Sequence, residues 1–416
     1  MNAPASPPDR PPAAPRVPGW LVTLAVVLVA VNLRPGATSV GPVLAEVQQG
    51  LGLSSTMAGV LTALPGLTFA AAGACAAAVS RRTGISGAVT AGLALVAAGL
   101  LARAVTGSVP VFLVLTVLAF TGMALGNILV PAFVKRHGGR RTAALNSVYT
   151  TGLAVGAALP LLAAGPLVQH GPGGWRAALG LWGLVALVAL VPWLAVTARD
   201  RREAATAPTR ALPTPGPGRS IVRSRTAVAL CAYFGIQSMH AYVQFGWAAQ
   251  IYRDGGLDQG QAGLMAALVA AMGIPGGLLM PALVAGSPHL RRWILGLGVC
   301  MVAGYLGLLL APATVPWVWA LLLGVGGFSF PTALALLTAR SRDPRVTARL
   351  SGFTQPVGYL LAAAGPFAVG ALHEATGSWT VPLVLLMASG VLLVAAGSVA
   401  AAPRFVDDEL AGPREP

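Results

Sequence analysis

The 416-residue chain is 56% hydrophobic and only 9% charged, with a mean hydropathy of +0.75. An ordinary globular chain carries roughly 25% charged residues, so a soluble fold with this composition would have too little polar surface to face water. The net charge of +15 would point to nucleic acid in a soluble protein, but here its distribution reports membrane topology and no nucleic-acid partner is expected.

Residues 1–17 are rich in Pro and Ala and lack the pattern of a cleavable signal; they read as a disordered cytoplasmic tail. Apolar blocks then recur, separated by short Arg-bearing gaps. Each has about twenty residues or more, the length a helix needs to cross a hydrocarbon core of ~30 Å. None shows period-2 alternation, which excludes a barrel and leaves helices. The predicted spans lie near 19–46, 54–79, 84–104, 109–134, 141–168, 175–198, 226–252, 259–285, 292–311, 314–339, 346–371 and 378–401. One long polar stretch, with PTPGPG and seven Arg between Arg199 and Arg225, parts six spans from six. The predicted fold is therefore an all-α integral membrane protein of twelve transmembrane helices in two six-helix pseudo-repeats. Its units are an N-terminal bundle at 18–198, a cytoplasmic linker at 199–225, a C-terminal bundle at 226–402 and a cytoplasmic tail at 403–416.

Assigning the loops alternately to two faces tests the count. One face receives 23 of the 27 basic residues. Arg103, Arg176 and Arg253 fall on the other, and Arg34 lies inside a span. That asymmetry follows the positive-inside rule, with both termini cytoplasmic and the cell (inner) membrane as the expected location. Miscounting by one span would scramble it. The halves also echo each other. Thr142-Ala-Ala-Leu145 resembles Thr347-Ala-Arg-Leu350, Gly165-Pro166 resembles Gly365-Pro366, and Pro131 and Pro331 occupy corresponding places. Parallel six-span repeats hold substrate between the halves near the midplane.

An ionisable residue deep in a span costs ~2.5–3.5 kcal/mol on insertion scales and is a functional candidate by default. Arg34 qualifies, in the run Asn32-Leu-Arg-Pro-Gly36, where proline breaks a helical hydrogen bond and frees backbone groups to face a cavity. Its guanidinium is a fixed fork of donors suited to a small anion or a polar planar ligand. The competing reading is that Arg34 ties the carbonyls of neighbouring helices. All twelve carboxylates fall in loops, tails or span ends, so no buried acid balances Arg34 and the substrate itself is its expected partner. For proton coupling, His240 is the sole intramembrane candidate, against a role as a hydrogen-bonded packing residue. In span 7, Gln237, His240, Ala241 and Gln244 repeat at helical spacing and form one polar stripe, with Tyr242 and Phe245 beside it. Tyr149, Thr150 and Thr151 lie about as deep in span 5, Gln355 and Tyr359 in span 11, and Asn127 and Ser329 in spans 4 and 10. The expected substrate-binding set is Arg34, Asn32, Tyr149, Gln237, His240, Gln355, Tyr359 and Asn127, each weighed against plain interhelical hydrogen bonding. The small residues of spans 2, 5 and 11 read as packing surfaces.

Cys75, Cys231 and Cys300 lie in apolar spans without a CxxC pair, so disulfide, metal and cofactor readings fall away. No nucleophile–base arrangement, GxxxxGK[ST] or HExxH occurs, so neither an enzyme nor an ATP-driven pump is expected.

Several runs resemble the cyanate permease/2-nitroimidazole transporter branch of the major facilitator superfamily. They are Asn32-Leu-Arg-Pro-Gly-Ala-Thr-Ser-Val-Gly-Pro42, Gly126-Asn-Ile-Leu-Val-Pro131, Gly174-Trp-Arg176, Gly235-Ile-Gln-Ser238, Ala348-Arg-Leu-Ser-Gly-Phe-Thr-Gln355, Gly358-Tyr-Leu-Leu361 and His373-Glu-Ala-Thr-Gly-Ser-Trp379. The resemblance covers nearly the whole chain. It implies a transporter of small, polar, planar or anionic cargo working by alternating access, as a monomer in the bilayer. Arg81-Arg-Thr-Gly84 stands where the superfamily usually carries Asp-Arg-x-Gly, and His240 replaces an expected aromatic or aliphatic residue. A proton-coupled exporter of the same fold is the main alternative and an integral-membrane enzyme the remote one.

Overall fold

The computed structural model describes residues 17–204 and 220–411. The expected disordered tail at 1–17, apart from Val17, the centre of the predicted linker and the last five residues lie outside the described residues. Among the described residues twelve spans appear. They are α1 (Gly19–Leu51), α2 and α3 (55–83 and 85–105), α4 (Val109–His137), α5 (Thr142–His170), α6 (Trp175–Ala204) and α7 (Arg225–Asp254). The rest are α8 (Gln259–Gly286), α9 (Leu290–Leu310), α10 (Pro316–Ala339), α11 (Pro344–Thr376) and α12 (Thr380–Ala400). Eleven stretches are long and apolar enough to cross a membrane. The twelfth, α7, is long enough at 30 residues, but its polar stripe dilutes its apolar character.

Three spans are broken: α1 at the proline the sequence marked, and α8 and α10 where the sequence reading drew them whole. α1 runs as Gly19–Asn32, Pro35–Thr38, a 3-10 turn at Gly41–Val43, and Leu44–Leu51. Pro35 and Pro42 lack the N–H that a continuous helix would use, and Arg34 sits at the break with φ −123° and ψ −34°. α8 breaks at Met272 and α10 between Gly326 and Ser329. α6 continues to Ala204, beyond its expected end at 198, because Asp200 is held there: its carboxylate accepts from Ser86 Oγ and lies 3.0 Å from His137 Nε2.

Lipid-facing stripes show as exposed apolar rows. On α6, Leu184, Leu187, Val188, Val191 and Leu194 are 45–69% exposed, a 3.6-residue period on one face. The opposite side of α6 is buried and hydrogen-bonded: Trp193 Nε1 donates to Ala25 O at 2.9 Å, and Thr90 and Thr197 hydroxyls meet at 2.8 Å.

The loop ends alternate between two faces. On the basic face, a short helix α13 (Val406–Ala411) packs against the C-terminal six spans. Its Glu409 accepts from Ser224 Oγ and from Thr226, and Asp407 accepts from the backbone N–H groups of Arg342 and Asp343. On the opposite face, Arg176 donates to the carbonyls of Ala104 and Thr106.

The α2–α3 reversal turns on Gly84, at φ 75° and ψ 164°, a region that is essentially glycine-only and costs about 1–3 kcal/mol for another residue. Gly84→Ala should lower the apparent Tm of the purified protein by a few degrees. Gly107→Ala should leave it unchanged, since Gly107 has no positive φ and nothing within 4 Å of a built Cβ.

The two sets of six meet through shared apolar clusters, in which Leu44 and Leu61 pack with Trp247 and Val369, and through glycine-lined contacts on the face opposite the basic one. Gly41 of α1 lies against the carbonyls of Phe245 and Gly246 of α7. A Cβ at Gly66 of α2 would stand 2.9 Å from Tyr359 O of α11, and one at Gly370 of α11 would stand 2.7 Å from Ser55 O. α5 and α8 meet the same way, with a Cβ at Gly263 2.6 Å from Leu161 O. The expectation that spans 2, 5 and 11 use small residues for packing therefore acquires a location. Two polar clasps close the same face. Glu46 bridges Arg253 at 3.0 Å and accepts from Gln259 Nε2, while Glu374 accepts from the N–H of Thr56 at the start of α2.

Candidate functional site

Between the two sets of six lies a cavity of about 490 Å³. It is sealed by the glycine contacts and clasps, and extends the other way past Pro131, Thr150, Leu334 and Ser351 toward the basic face. Of the eight residues expected to bind substrate, Arg34, Asn127, Tyr149, Gln237, Gln355 and Tyr359 line it together. They come from α1, α4, α5, α7 and α11, so the site is a product of the whole bundle.

Arg34 reaches the cavity because the break in α1 lifts it off the helix. It shares the cavity lining with Tyr149, Tyr242 and Tyr359, and among the described residues no carboxylate is ion-paired with it. Around it stands an aromatic wall. Tyr359 meets Phe69 edge-on at 5.4 Å, Phe234 at 5.2 Å and Tyr242 at 6.3 Å between centroids. Tyr149 Oη donates to Asn127 at 3.3 Å, and Asn127 Nδ2 returns to Met123 O at 3.2 Å. The result is one cation, hydroxyls and amides within an otherwise apolar aromatic cleft, the makeup of a small-molecule site.

Two expected residues do not line it. Asn32 is 1% exposed; it ends the first helix of α1 and its Nδ2 turns back to Leu28 O at 2.8 Å. His240 is fully buried on the edge of α7 that faces α9 and α12, where it meets Tyr305 Oη at 3.0 Å and Ser389 Oγ at 3.2 Å. The polar stripe of α7 is thus divided: Gln237, Ala241 and Gln244 face the cavity and His240 does not.

A further buried cation was assigned to the face opposite the basic one by the charge count. Arg103 lies two residues from the end of α3, fully buried, and its Nη2 donates to Gly36 O at 3.0 Å and Ser39 Oγ at 3.3 Å. The guanidinium carbon is 5.9 Å from the centre of the Phe112 ring. It props the far side of the α1 break, where Arg34 emerges on the near side. The signal was the brevity of the 106–108 connection, which leaves Arg103 no room to reach water.

The Major Facilitator Superfamily model matches residues 26–366. The chain is 35% identical to the uncharacterized transporter YycB of Bacillus subtilis (strain 168), over 93% of this chain and 94% of that protein. It is 33% identical to the 2-nitroimidazole transporter of Escherichia coli (strain K12), over 86% and 90%. To the cyanate transport protein CynX of the same organism it is 29% identical, over 86% and 91%. Among solved structures, a D-xylose-proton symporter superposes with a TM-score of 0.73 over 90% of this chain and 96% of that one, at 15% identity, a likeness of fold alone. The chain belongs to the major facilitator superfamily, alongside the cyanate and 2-nitroimidazole transporters.

Proposed function

We propose that the protein is a secondary active or facilitated transporter of a small polar or anionic solute, working by alternating access in the cell membrane. One observation carries the reading: an arginine with no carboxylate partner stands in an aromatic, amide-lined cavity between two six-helix units. Arg34 holds the acceptor or anionic edge of the solute; Tyr149, Asn127, Gln237, Gln355 and Tyr359 complete the contact. With both termini in the cytoplasm, the basic face is the inner one and the cavity faces inward. The units 18–198 and 226–402 move against each other, joined by 199–225, and one copy contains the whole site.

Size refines the cargo. A water's share of liquid volume is about 30 Å³, so a triatomic anion such as cyanate fills little of a cavity of about 490 Å³. A five- or six-membered ring bearing a nitro or carboxylate group matches it better and stacks on the tyrosine and phenylalanine wall. The 2-nitroimidazole transporter is among the relatives, which supports this choice.

The test is a thermal-shift series on purified protein with 2-nitroimidazole, benzoate, cyanate and N-methylpyridinium. Ligand at 100 Kd stabilises the folded state by about 2.7 kcal/mol. The expected order is ring compounds with an anionic or nitro edge first, cyanate weaker, and the organic cation without effect. Stabilisation by the cation alone would overturn the reading.

A further inference from the structure

Behind the cavity wall of α7 runs a chain of hydrogen bonds with one direction. Ser389 Oγ donates its only proton to Leu386 O at 2.8 Å, so toward His240 Nε2, at 3.2 Å, it acts as an acceptor. His240 therefore carries its proton on Nε2, and its bare Nδ1 accepts from Tyr305 Oη at 3.0 Å. With its proton spent there, Tyr305 Oη accepts from Gln244 Nε2 at 3.2 Å. Both contacts that Gln244 makes with the protein use Nε2, the second reaching Met301 Sδ at 3.5 Å, and Gln244 lines the cavity. Gln237, two turns away, also uses its Nε2, which points to Gly327 O at 3.5 Å, while its Oε1 is buried and has no partner among the described residues.

We propose that His240, acting through Tyr305, is a positioning residue that locks the Gln244 carboxamide with its carbonyl oxygen toward the cavity, making α7 an acceptor wall for the N–H or O–H edge of the transported solute. This rests on the reading of the cavity as the solute site. It adds a second requirement to that of Arg34. The cargo presents an acceptor or anionic edge to α1 and a donor edge to α7, so a molecule with two acceptor edges is rejected. A carboxamide free to rotate would serve either edge; the proton order set by Ser389 removes that choice. His240 thus governs specificity from behind the wall, without touching the solute and without changing its own charge.

Two probes differing by one methyl group test this on the purified full-length protein: 2-nitroimidazole, with a ring N–H, and 1-methyl-2-nitroimidazole, without it. A neutral hydrogen bond in a wet cavity is expected to give wild type about a tenfold preference for the N–H probe, read as a Kd ratio by calorimetry. Gln244→Met, close in volume, should bring the ratio near one. Tyr305→Phe keeps the ring and the packing but frees Gln244, and should also collapse the ratio while leaving affinity for the methylated probe within a factor of about two. A structural role for Tyr305 would instead weaken both probes equally. Equal wild-type affinities, or a full ratio in Tyr305→Phe, would overturn the inference while leaving the cavity reading intact. No binding of either probe, or binding unchanged in Arg34→Ala, would overturn the cavity reading and this inference with it.

Discussion

Replacing Arg34 by alanine should abolish saturable uptake while the protein still inserts, purifies and melts as the wild type does. Among the described residues the guanidinium is the one cation lining the cavity, and a hydrogen bond to a charged group contributes about 1.5–3 kcal/mol. At ~4 Å and an effective dielectric of ~20, the attraction for an anion adds about 4 kcal/mol before desolvation. A loss of affinity of at least about a hundredfold follows, and at transport-level concentrations this reads as no uptake. Folding is spared because no salt bridge is broken and a costly intramembrane charge is removed. Arg34→Lys keeps the charge but loses the planar fork, so it should recover only part of the uptake. Uptake of the true substrate at wild-type rate by Arg34→Ala, in proteoliposomes of matched protein content, would sink the assignment.

The second large effect is conformational. Gly41→Val should disable transport by preventing the face opposite the basic one from closing. A Cβ at Gly41 would overlap the carbonyl of Phe245 and stand 3.1 Å from that of Gly246. These are backbone atoms, so nothing rotates aside; α1 and α7 must part. Overpacking of this kind costs typically about 1–3 kcal/mol, a bias of roughly 5- to 150-fold against the state that needs the contact. The state in which the two units separate there is untouched, so the melting temperature should move little. Spin labels at the exposed positions Gln49 and Ala375, in a cysteine-free background, report the opening directly. The expected result is a new, longer distance population in Gly41→Val and a smaller one in Gly41→Ala. An unchanged distribution in the valine variant would rule out this contact as the seal.

What could be read from the sequence follows from how locally each feature is encoded. Span number was legible because arginines segregate by loop, and the one span that apolarity misses, α7, was caught by that segregation. The break at Asn32–Pro35 was legible because proline removes a specific donor. The cavity was legible only as a set of polar residues at similar depth, six of which the bundle brings together. His240 escaped because the α7 stripe spans an arc: at about 100° per residue, it lies about 60° from Gln237 on the side away from Ala241. That edge turns toward Tyr305 and Ser389, and periodicity within one helix cannot tell what stands behind it. Arg103 escaped because loop and buried helix end look alike two residues from a turn. Phe69 and Phe330 of the cavity lining escaped because an apolar ring facing a cavity has the hydropathy of one facing lipid.

The seam between the two units has a kinetic consequence. Helices that interlock side chains must unpick them one by one before they part, and each lost contact raises the barrier. Here glycines let backbone approach backbone at Gly41, Gly66, Gly263 and Gly370, beside apolar side chains packed from both units, and the clasps are two glutamates, one from each unit. At the glycine contacts, separation therefore meets little steric friction. Its activation enthalpy should be dominated by the rupture of a few polar bonds at the rim, so turnover should quicken only modestly on warming.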